Sequence, residues 1–391
     1  MATGYWLLAF EDIMRDYIDM ERHSLAMDTI LRRPTAGIPT AWVNVMQHDH
    51  LDRLAGVPAG TYRERPEEVY LAAQKNMGVC ILDQYIPRNP LEMGDHGYDS
   101  PLNTATTGAQ EIRCDGIVID SPDAVVEHME KHVFPAIRNE IANHDEKAVM
   151  DGVLKHELSI QELFGETILK TGYGSVHMPP LLYYLYGYEN YFMAYALYPE
   201  VMEACFSLQA DYAVLRNTAI AKLYNQNLLP PMFRLDHDMA DSRGTLVNIR
   251  SLDKLWFPHF TRCIEPLVRA GVNLIWHCDG NLMDMVPRLI ASGVKGFQGF
   301  QYEDGMDYKK ICSMKTRDGD SLLIWAGVSV TRTLPFGKPS DVKKELDFLV
   351  EHGPKTGLMI GASSSVAPGV PWENIQTLVE GFAYYKTHKR P

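Results

Sequence analysis

The 391-residue sequence lacks the features that mark several large classes of protein. It has no apolar run near the roughly 20 residues that a helix needs to cross a bilayer, so a membrane protein is not expected. Acidic residues outnumber basic residues by 50 to 37, and the formal charge of −13 argues against a nucleic-acid partner. The six cysteines form no C-x-x-C pair, so we expect reduced thiols in a cytoplasmic protein.

The short signatures of several familiar active sites are also missing. The chain contains no G-x-G-x-x-G, no G-x-x-x-x-G-K-[ST], no H-E-x-x-H and no G-x-S-x-G. Their absence removes the usual markers of dinucleotide binding, P-loop phosphate binding, zinc proteases and α/β-hydrolases. The composition, 46% apolar and 22% charged, is that of an ordinary globular protein.

Short runs rich in β-forming residues alternate along the chain with longer helical patterns. This alternation predicts a parallel sheet covered by helices, and eight strands predict a closed (β/α)8 TIM barrel of the α/β class. A doubly wound open sheet is the alternative. The eight predicted strands are Pro39–Val45, Val79–Asp83, Thr167–Tyr173, Met232–His237, Asn273–Cys278, Gly296–Tyr302, Leu322–Ser329 and Gly357–Gly361.

These patterns predict a single domain over residues 1–391, with a helical extension at 1–36 and the barrel at 37–391. An Asp-Gly pair between alternating apolar runs predicts a β-hairpin insertion over Glu111–Asp120.

One proline and one serine mark the predicted starts of two helices. Pro199 should open the second of two helices within Glu189–Asn225. Ser340 should be the N-cap of a helix over Asp341–His352.

Polar side chains gather where the predicted strands end, which is where a TIM barrel carries its catalytic groups. His237 and Asp238 end the fourth strand, and His277 and Asp279 end the fifth. His277 and Asp279 are two positions apart, so both side chains can face one side of the strand. Gly280, which follows them, permits close approach of the backbone to a ligand. We therefore take these four imidazole and carboxylate residues as the candidate catalytic groups.

A second set of strand-end residues could bind substrate through polar or aromatic side chains. Asp236 is interpreted differently, as a helix cap or as the ion-pair partner of Arg234. The candidate substrate-binding residues are Tyr85, His177, Trp276, Gln301, Tyr302 and Arg332.

Several segments resemble, in the same order, motifs of the uroporphyrinogen decarboxylase-like superfamily, which includes corrinoid-dependent methyltransferases. The resemblance covers roughly Ala26–Lys386 and implies a (β/α)8 barrel. The segment Trp276–Asn281, followed by Gly299-Phe300-Gln301, is similar to the family's H-x-C-G-N…Q segment. Its D-D-x-G, G-F-E-N and P-x-E-N motifs are matched by His237–Ala240, Gly187–Asn190 and Val370–Ile375.

The sequence departs from the porphyrinogen-decarboxylating members in the loop after the first strand. In those members this loop is rich in arginine, whereas Met46–Leu51 has none. A polyanionic substrate needs several fixed cations, so porphyrinogen decarboxylation is disfavoured.

It departs from the thiol-methylating members as well, which bind zinc through H-x-C and a later cysteine. Asp279 stands at the first cysteine position and Ser364 near the second, while Cys278 is offset by one and should point the opposite way. The sulfur-rich zinc site is therefore missing. A metal such as zinc is compatible with His277, Asp279 and Asp238, but through harder ligands.

The resemblance and its departures together predict a substrate-side methyltransferase, an O-demethylase that moves a methyl group from a methoxylated aromatic compound to Co(I). The Co(I) belongs to a corrinoid (cobalamin) carried by a partner protein that docks at the barrel mouth. His277 and Asp279 would activate the substrate, either as a proton donor with its orienting group or as metal ligands. A homodimer is compatible with this interpretation.

Three alternatives remain. The first is a decarboxylase of a smaller acid, with Arg332 or Arg234 gripping the carboxylate. The second is a zinc-dependent thiol methyltransferase with unusual ligands. The third is a non-catalytic binding protein, although the density of ionisable groups at the strand ends argues against it.

Overall fold

The computed structural model describes residues 22–88 and 111–388. Its parallel strands form a closed barrel surrounded by helices, which confirms the predicted (β/α)8 fold. We number the barrel strands β1 (Thr40–Ala41), β2 (Val79–Leu82), β3 (two segments, Leu169–Lys170 and Gly172–Tyr173), β4 (Met232–Asp236), β5 (Asn273–His277), β6 (Gly296–Gly299), β7 (Leu323–Val328) and β8 (Leu358–Ala362).

Strand β3 closes the barrel through its two segments. The segment Leu169–Lys170 pairs with β2, and Gly172–Tyr173 pairs with β4, so one strand joins both ends of the sheet. Gly172 allows this closure because a Cβ there would lie 2.3 Å from the ring of Phe233 on β4. The remaining strands follow in the order β2, β1, β8, β7, β6, β5 and β4.

Helices cover the outside of the barrel and two small antiparallel hairpins extend from it. The hairpins are Arg113–Cys114 with Ile117–Val118 and Ala240–Asp241 with Gly244–Thr245. The α-helical segments are 22–30, His48–Ala55, Thr61–Glu64, Pro66–Asn76, Pro122–His128, Phe134–Ala142, Glu146–Phe164, Tyr183–Tyr186, Tyr188–Leu197, Pro199–Asn225, Ile249–Leu255, Phe257–Arg269, Val286–Ser292, Tyr308–Ser313, Thr333–Phe336, Pro339–His352 and Trp372–Thr387, with a π-helical turn at Met129–Val133 and a 3-10 turn at Tyr302–Asp304.

None of the helices within 22–88 and 111–388 combines the length and the apolar character that crossing a bilayer requires.

Local predictions fare differently. The hairpin predicted within Glu111–Asp120 is confirmed, and so is the helix that starts at Pro199. The predicted cap at Ser340 is wrong, because the helix already begins at Pro339, with Lys338 as its N-cap. Proline is favoured in the first turn, since its missing N–H would have no partner there. The Asp341 carboxylate accepts the Lys338 N–H at 2.9 Å, which completes this earlier start.

The barrel strands are buried on both faces, as expected for parallel strands covered by helices. On the outer face, Trp276 of β5 packs edge-on against Trp256 and Phe260 of the neighbouring helices. Among the buried polar residues are Asp83 and Arg234, which lie at or near the carboxyl ends of β2 and β4. These two residues form an ion pair beneath the candidate site.

Candidate active site

The ends of β4 and β5 bring the predicted catalytic residues together. The two strands pair in parallel, with Asp236 opposite His277. The pairing continues one residue further, because the His237 N–H donates to the His277 carbonyl at 3.3 Å. The loop residues that follow both strands therefore start from one edge of the barrel.

Three side chains at this edge form a compact group of potential metal ligands. Donor atoms of Asp236, Asp238 and His277 all lie within 4.8 Å of one another. The His277 ring is buried, and its Nδ1 has no hydrogen-bond partner among the described residues. Two carboxylates and one imidazole are ligands that suit a hard or borderline divalent cation.

Asp279 lies beside this group and is held by several hydrogen bonds. Its Oδ1 is 3.9 Å from His277 Nε2 and accepts a hydrogen bond from Gln301 Nε2 at 3.2 Å. The Ser364 hydroxyl donates to Oδ2 at 3.3 Å, and the Asp279 N–H donates to Asp238 Oδ1 at 2.9 Å. The carboxylate is thus fixed on the same side of β5 as the imidazole.

Gly280 is required by the packing of two loops, and not by the close approach of a ligand that the sequence suggested. Its φ is +84°, and a Cβ at this position would lie 2.7 Å from the backbone of Asp241. The close approach is therefore between two loops of the protein. Gln301 also accepts the Gly280 N–H at 2.6 Å, which links this turn to Asp279.

Arg234 supports the site from inside the barrel. Its guanidinium binds Asp83 and donates to Asp236 Oδ2 at 3.1 Å, and it packs over the ring of Tyr173 at 4.7 Å. The Tyr173 hydroxyl donates to the same Asp236 oxygen at 2.9 Å. The predicted ion pair between Asp236 and Arg234 is confirmed, but Asp236 also belongs to the donor group, which the sequence interpretation missed.

Burial shifts the pKa values of Asp279 and His237 in opposite directions, because it disfavours the charged form of each side chain. Burial raises the pKa of Asp279, and the nearby Asp238 adds to this, whereas His277 opposes it. Burial lowers the pKa of His237 to about 4. His237 Nε2 also accepts the Leu181 N–H at 2.8 Å, so this imidazole is uncharged near neutral pH and acts as a hydrogen-bonding group.

Cys278 points away from the donor group. Its sulfur accepts the Met239 N–H at 3.3 Å, and burial raises the pKa of the thiol. A buried thiol with a raised pKa is a poor source of thiolate. The site therefore offers oxygen and nitrogen ligands and no reactive sulfur from this residue.

Two of the six predicted substrate-binding residues lie in or beside the site. Gln301 bridges Asp279 and Gly280, as described above. His177 lines a cavity that also contains Asp236 and His237 in its wall.

The structure does not bring the other four into the cluster. Tyr85 packs on the rings of Tyr70 and Phe164, and Tyr302 packs on Phe348. Trp276 faces the helices because neighbouring residues of a strand point to opposite faces. Arg332 is exposed at the start of the helix Thr333–Phe336.

Sequence reasoning left out three residues of the site. Tyr173 and Ser364 each lie at a strand end, so their position alone could have included them. Tyr183 comes from a helix, and its hydroxyl donates to the Asp238 carbonyl at 2.7 Å while its ring lies nearly parallel to that of His237. No local pattern in the sequence marks that contact.

Comparisons with known proteins place the fold. No protein-family model matches the sequence, and no curated protein matches it either. Among solved structures, 49 chains match. One of them is a methyltransferase from Methanosarcina mazei, with a TM-score of 0.56 and 14% identity over 93% of this chain and 98% of that chain. At this level of identity the similarity shows a shared fold.

Proposed function

We propose that this protein is a substrate-side methyltransferase that takes a methyl group from a methoxylated aromatic compound. The acceptor would be the Co(I) corrinoid of a partner protein that docks over the barrel mouth. The observation that carries the proposal is the convergence of Asp236, Asp238, His277 and Asp279 at that mouth, with Cys278 turned away. The motif resemblance and the fold shared with a methyltransferase support it.

The chemistry explains why such a cluster is useful. When the O–CH3 bond breaks, the oxygen keeps the bonding electron pair and leaves as a phenolate, which needs a proton or a cation. As the acceptor, a Co(I) corrinoid would supply the electron pair for the new bond to the methyl carbon. Asp279, whose pKa is raised, would hold the proton for the leaving oxygen, and His277 would orient that oxygen.

The donor group also fits a divalent cation, which would polarise the ether oxygen when bound. Asp236, Asp238 and His277 would hold it. Oxygen-rich ligands of this kind favour harder cations over the sulfur-bound zinc of thiol-methylating enzymes.

Two alternatives find less support in the geometry. Arg234 is bound by Asp83 and Asp236, so its charge is already compensated. In a decarboxylase it would therefore not be available to bind the carboxylate of the substrate. A thiol methyltransferase would need a sulfur ligand, and Cys278 is buried on the other side of β5.

A methyl-transfer assay tests the proposal. Purified protein is mixed with a reduced corrinoid protein and guaiacol, and loss of the Co(I) spectrum is followed. The variant Asp279→Asn should lower the rate by about 10²–10⁴, the usual contribution of a positioned acid–base group. The variant His277→Asn, which removes the orienting imidazole, should also lower it. His259→Asn, which changes a histidine on an outer helix, is the control and should match the wild type. Absence of methyl transfer from guaiacol and from other methoxylated aromatic compounds would refute the proposal.

The variant Cys278→Ala distinguishes the proposed O-demethylase from a zinc-dependent thiol methyltransferase. It should retain methyl transfer and metal binding, because the sulfur faces away from the cluster. Loss of both would favour the alternative.

Metal binding is measured directly by titrating Mn²⁺ or Zn²⁺ calorimetrically into wild type and Asp236→Asn, and equal affinities would refute the proposed ligand set.

A further inference from the structure

A cavity of about 290 Å³ opens beside the donor group, between the end of β3 and the end of β4. It shares Tyr173, Asp236 and His237 with the site already described. The opposite wall is formed by the loop after β3, and its apolar side chains are Val176, Met178 and Pro180. The cavity therefore extends the polar cluster into a partly apolar space.

The loop that forms this wall is fixed even though it has little regular structure. The side chain of Asn217, on the long helix Pro199–Asn225, bonds both the N–H and the carbonyl of His177, at 2.9 and 2.8 Å. The indole of Trp256 donates to the Pro179 carbonyl at 2.8 Å. The Leu181 N–H donates to His237, as noted above. With three tethers within five residues, the cavity is formed in advance of any ligand, as is usual for small-molecule sites.

The charges around the cavity disfavour an anion. Among the described residues that line the cavity, Arg234 is the one lysine or arginine, and its guanidinium is bound to two carboxylates, those of Asp83 and Asp236. The His177 ring packs edge-on against Tyr212, and its pKa is lowered to about 4 by burial and by the nearby Arg216, which is not part of the lining. His177 therefore adds no positive charge near neutral pH. Within the part of the lining that the structure describes, an anionic group on a ligand would therefore meet the Asp236 carboxylate and no uncompensated cation.

We propose that this cavity binds the organic part of the methyl donor, and that it accepts a single ring without an anionic group. The inference rests on the proposed function, because it assigns a place to that substrate. Sites for drug-sized ligands span about 300–1,000 Å³, so a cavity of 290 Å³ lies at the small end of this range and favours one substituted ring over two linked rings. The walls shared with Asp236 and His237 place such a ring next to the cluster that would activate its methoxy group.

The test measures binding without any corrinoid protein, by calorimetry and ligand-observed NMR. Three probes differ in one property each: guaiacol is neutral with one ring, vanillate adds a carboxylate para to the hydroxyl, and 3-methoxybiphenyl-4-ol adds a phenyl ring at the same position. We expect guaiacol to bind at least about tenfold more tightly than the other two, a difference that titration resolves. Equal affinity for vanillate would overturn the charge argument, and equal affinity for the biphenyl would overturn the size argument.

Filling variants locate the ligand. Val176→Trp should weaken guaiacol binding at least about tenfold, because the indole occupies the cavity. Leu228→Trp is the matched control, since it lines a separate cavity at the opposite end of the barrel. Unchanged binding in a folded Val176→Trp protein would overturn the proposal.

A measurement on the wild type guards against a variant that fails to fold. With ¹³C-methyl methionine labelling, guaiacol should show intermolecular NOEs to the methyl group of Met178, and their absence at saturating guaiacol would overturn the proposal. Binding with these NOEs but no methyl transfer would leave the cavity assignment standing and refute the proposed function. Methyl transfer from guaiacol without these NOEs would refute the cavity assignment and leave the proposed function standing.

Discussion

Replacing Arg234 by methionine should destabilise the fold strongly, because Asp83 and Asp236 would lose their cation inside the barrel. The Arg234 side chain is 4% exposed and that of Asp83 is 0% exposed. Removing one partner of a buried ion pair costs about 3–5 kcal/mol, whereas an exposed pair contributes about 0–1 kcal/mol. We therefore expect Arg234→Met to lower the free energy of unfolding by about 3–5 kcal/mol. The control Arg65→Met, which breaks a surface pair with Glu68, should cost less than about 1 kcal/mol.

The assay is urea unfolding followed by tryptophan fluorescence and far-UV circular dichroism, which must give coincident transitions for the free energies to be compared. A triple variant, Asp83→Asn with Arg234→Met and Asp236→Asn, separates charge from packing. It should recover part of the loss, because it leaves no unpaired carboxylate in the interior. The reasoning is refuted if Arg234→Met is as stable as Arg65→Met, or if the triple variant is less stable than Arg234→Met alone.

Three further predictions concern regions outside the donor group. Burial raises the pKa of Glu345 from 4.5 to about 7. The folded state therefore loses stability relative to the unfolded state as the pH rises through this window. Glu345→Gln should unfold at a higher urea concentration than the wild type at pH 8, and at the same urea concentration at pH 4. Gly172→Ala should lower the free energy of unfolding by about 1–3 kcal/mol through overpacking, whereas Gly152→Ala, in an uncrowded helix position, should raise it slightly in the same assay. Ellman's reagent should label Cys312 first in the native protein, because the other five cysteines are buried; mass spectrometry showing Cys278 labelled first would contradict this.

The barrel was predictable from the sequence because each strand carries its own evidence. A short β-rich run bounded by loop residues is recognisable without its neighbours, and the alternation with helices determines the fold class. Closure was less predictable in its details. It depends on Gly172, where the ring of Phe233 leaves no room for a side chain, and this contact joins residues about 60 positions apart. The helix start at Pro339 shows that even a local prediction fails when two start signals compete.

The site was predictable where it depends on one strand and unpredictable where it depends on two. His277 and Asp279 share a side because of the two-residue period of β5, which the sequence displays. The same period turns Trp276 toward the helices, so it should have counted against that residue as a substrate contact. Asp236 joins His277 through the register between β4 and β5, and no pattern within either strand specifies that register.

Asp236 also shows why a structural explanation does not exclude a functional one. The ion pair with Arg234 accounted fully for a carboxylate at this position, and the pair is present. Yet Arg234 and Tyr173 both donate to Oδ2, and no hydrogen bond from a residue that the structure describes reaches Oδ1. One oxygen can anchor the side chain while the other serves a ligand, because a carboxylate has two acceptor atoms. An orienting contact of this kind is what a metal or substrate ligand requires, so the ion pair strengthens the case that Asp236 is functional.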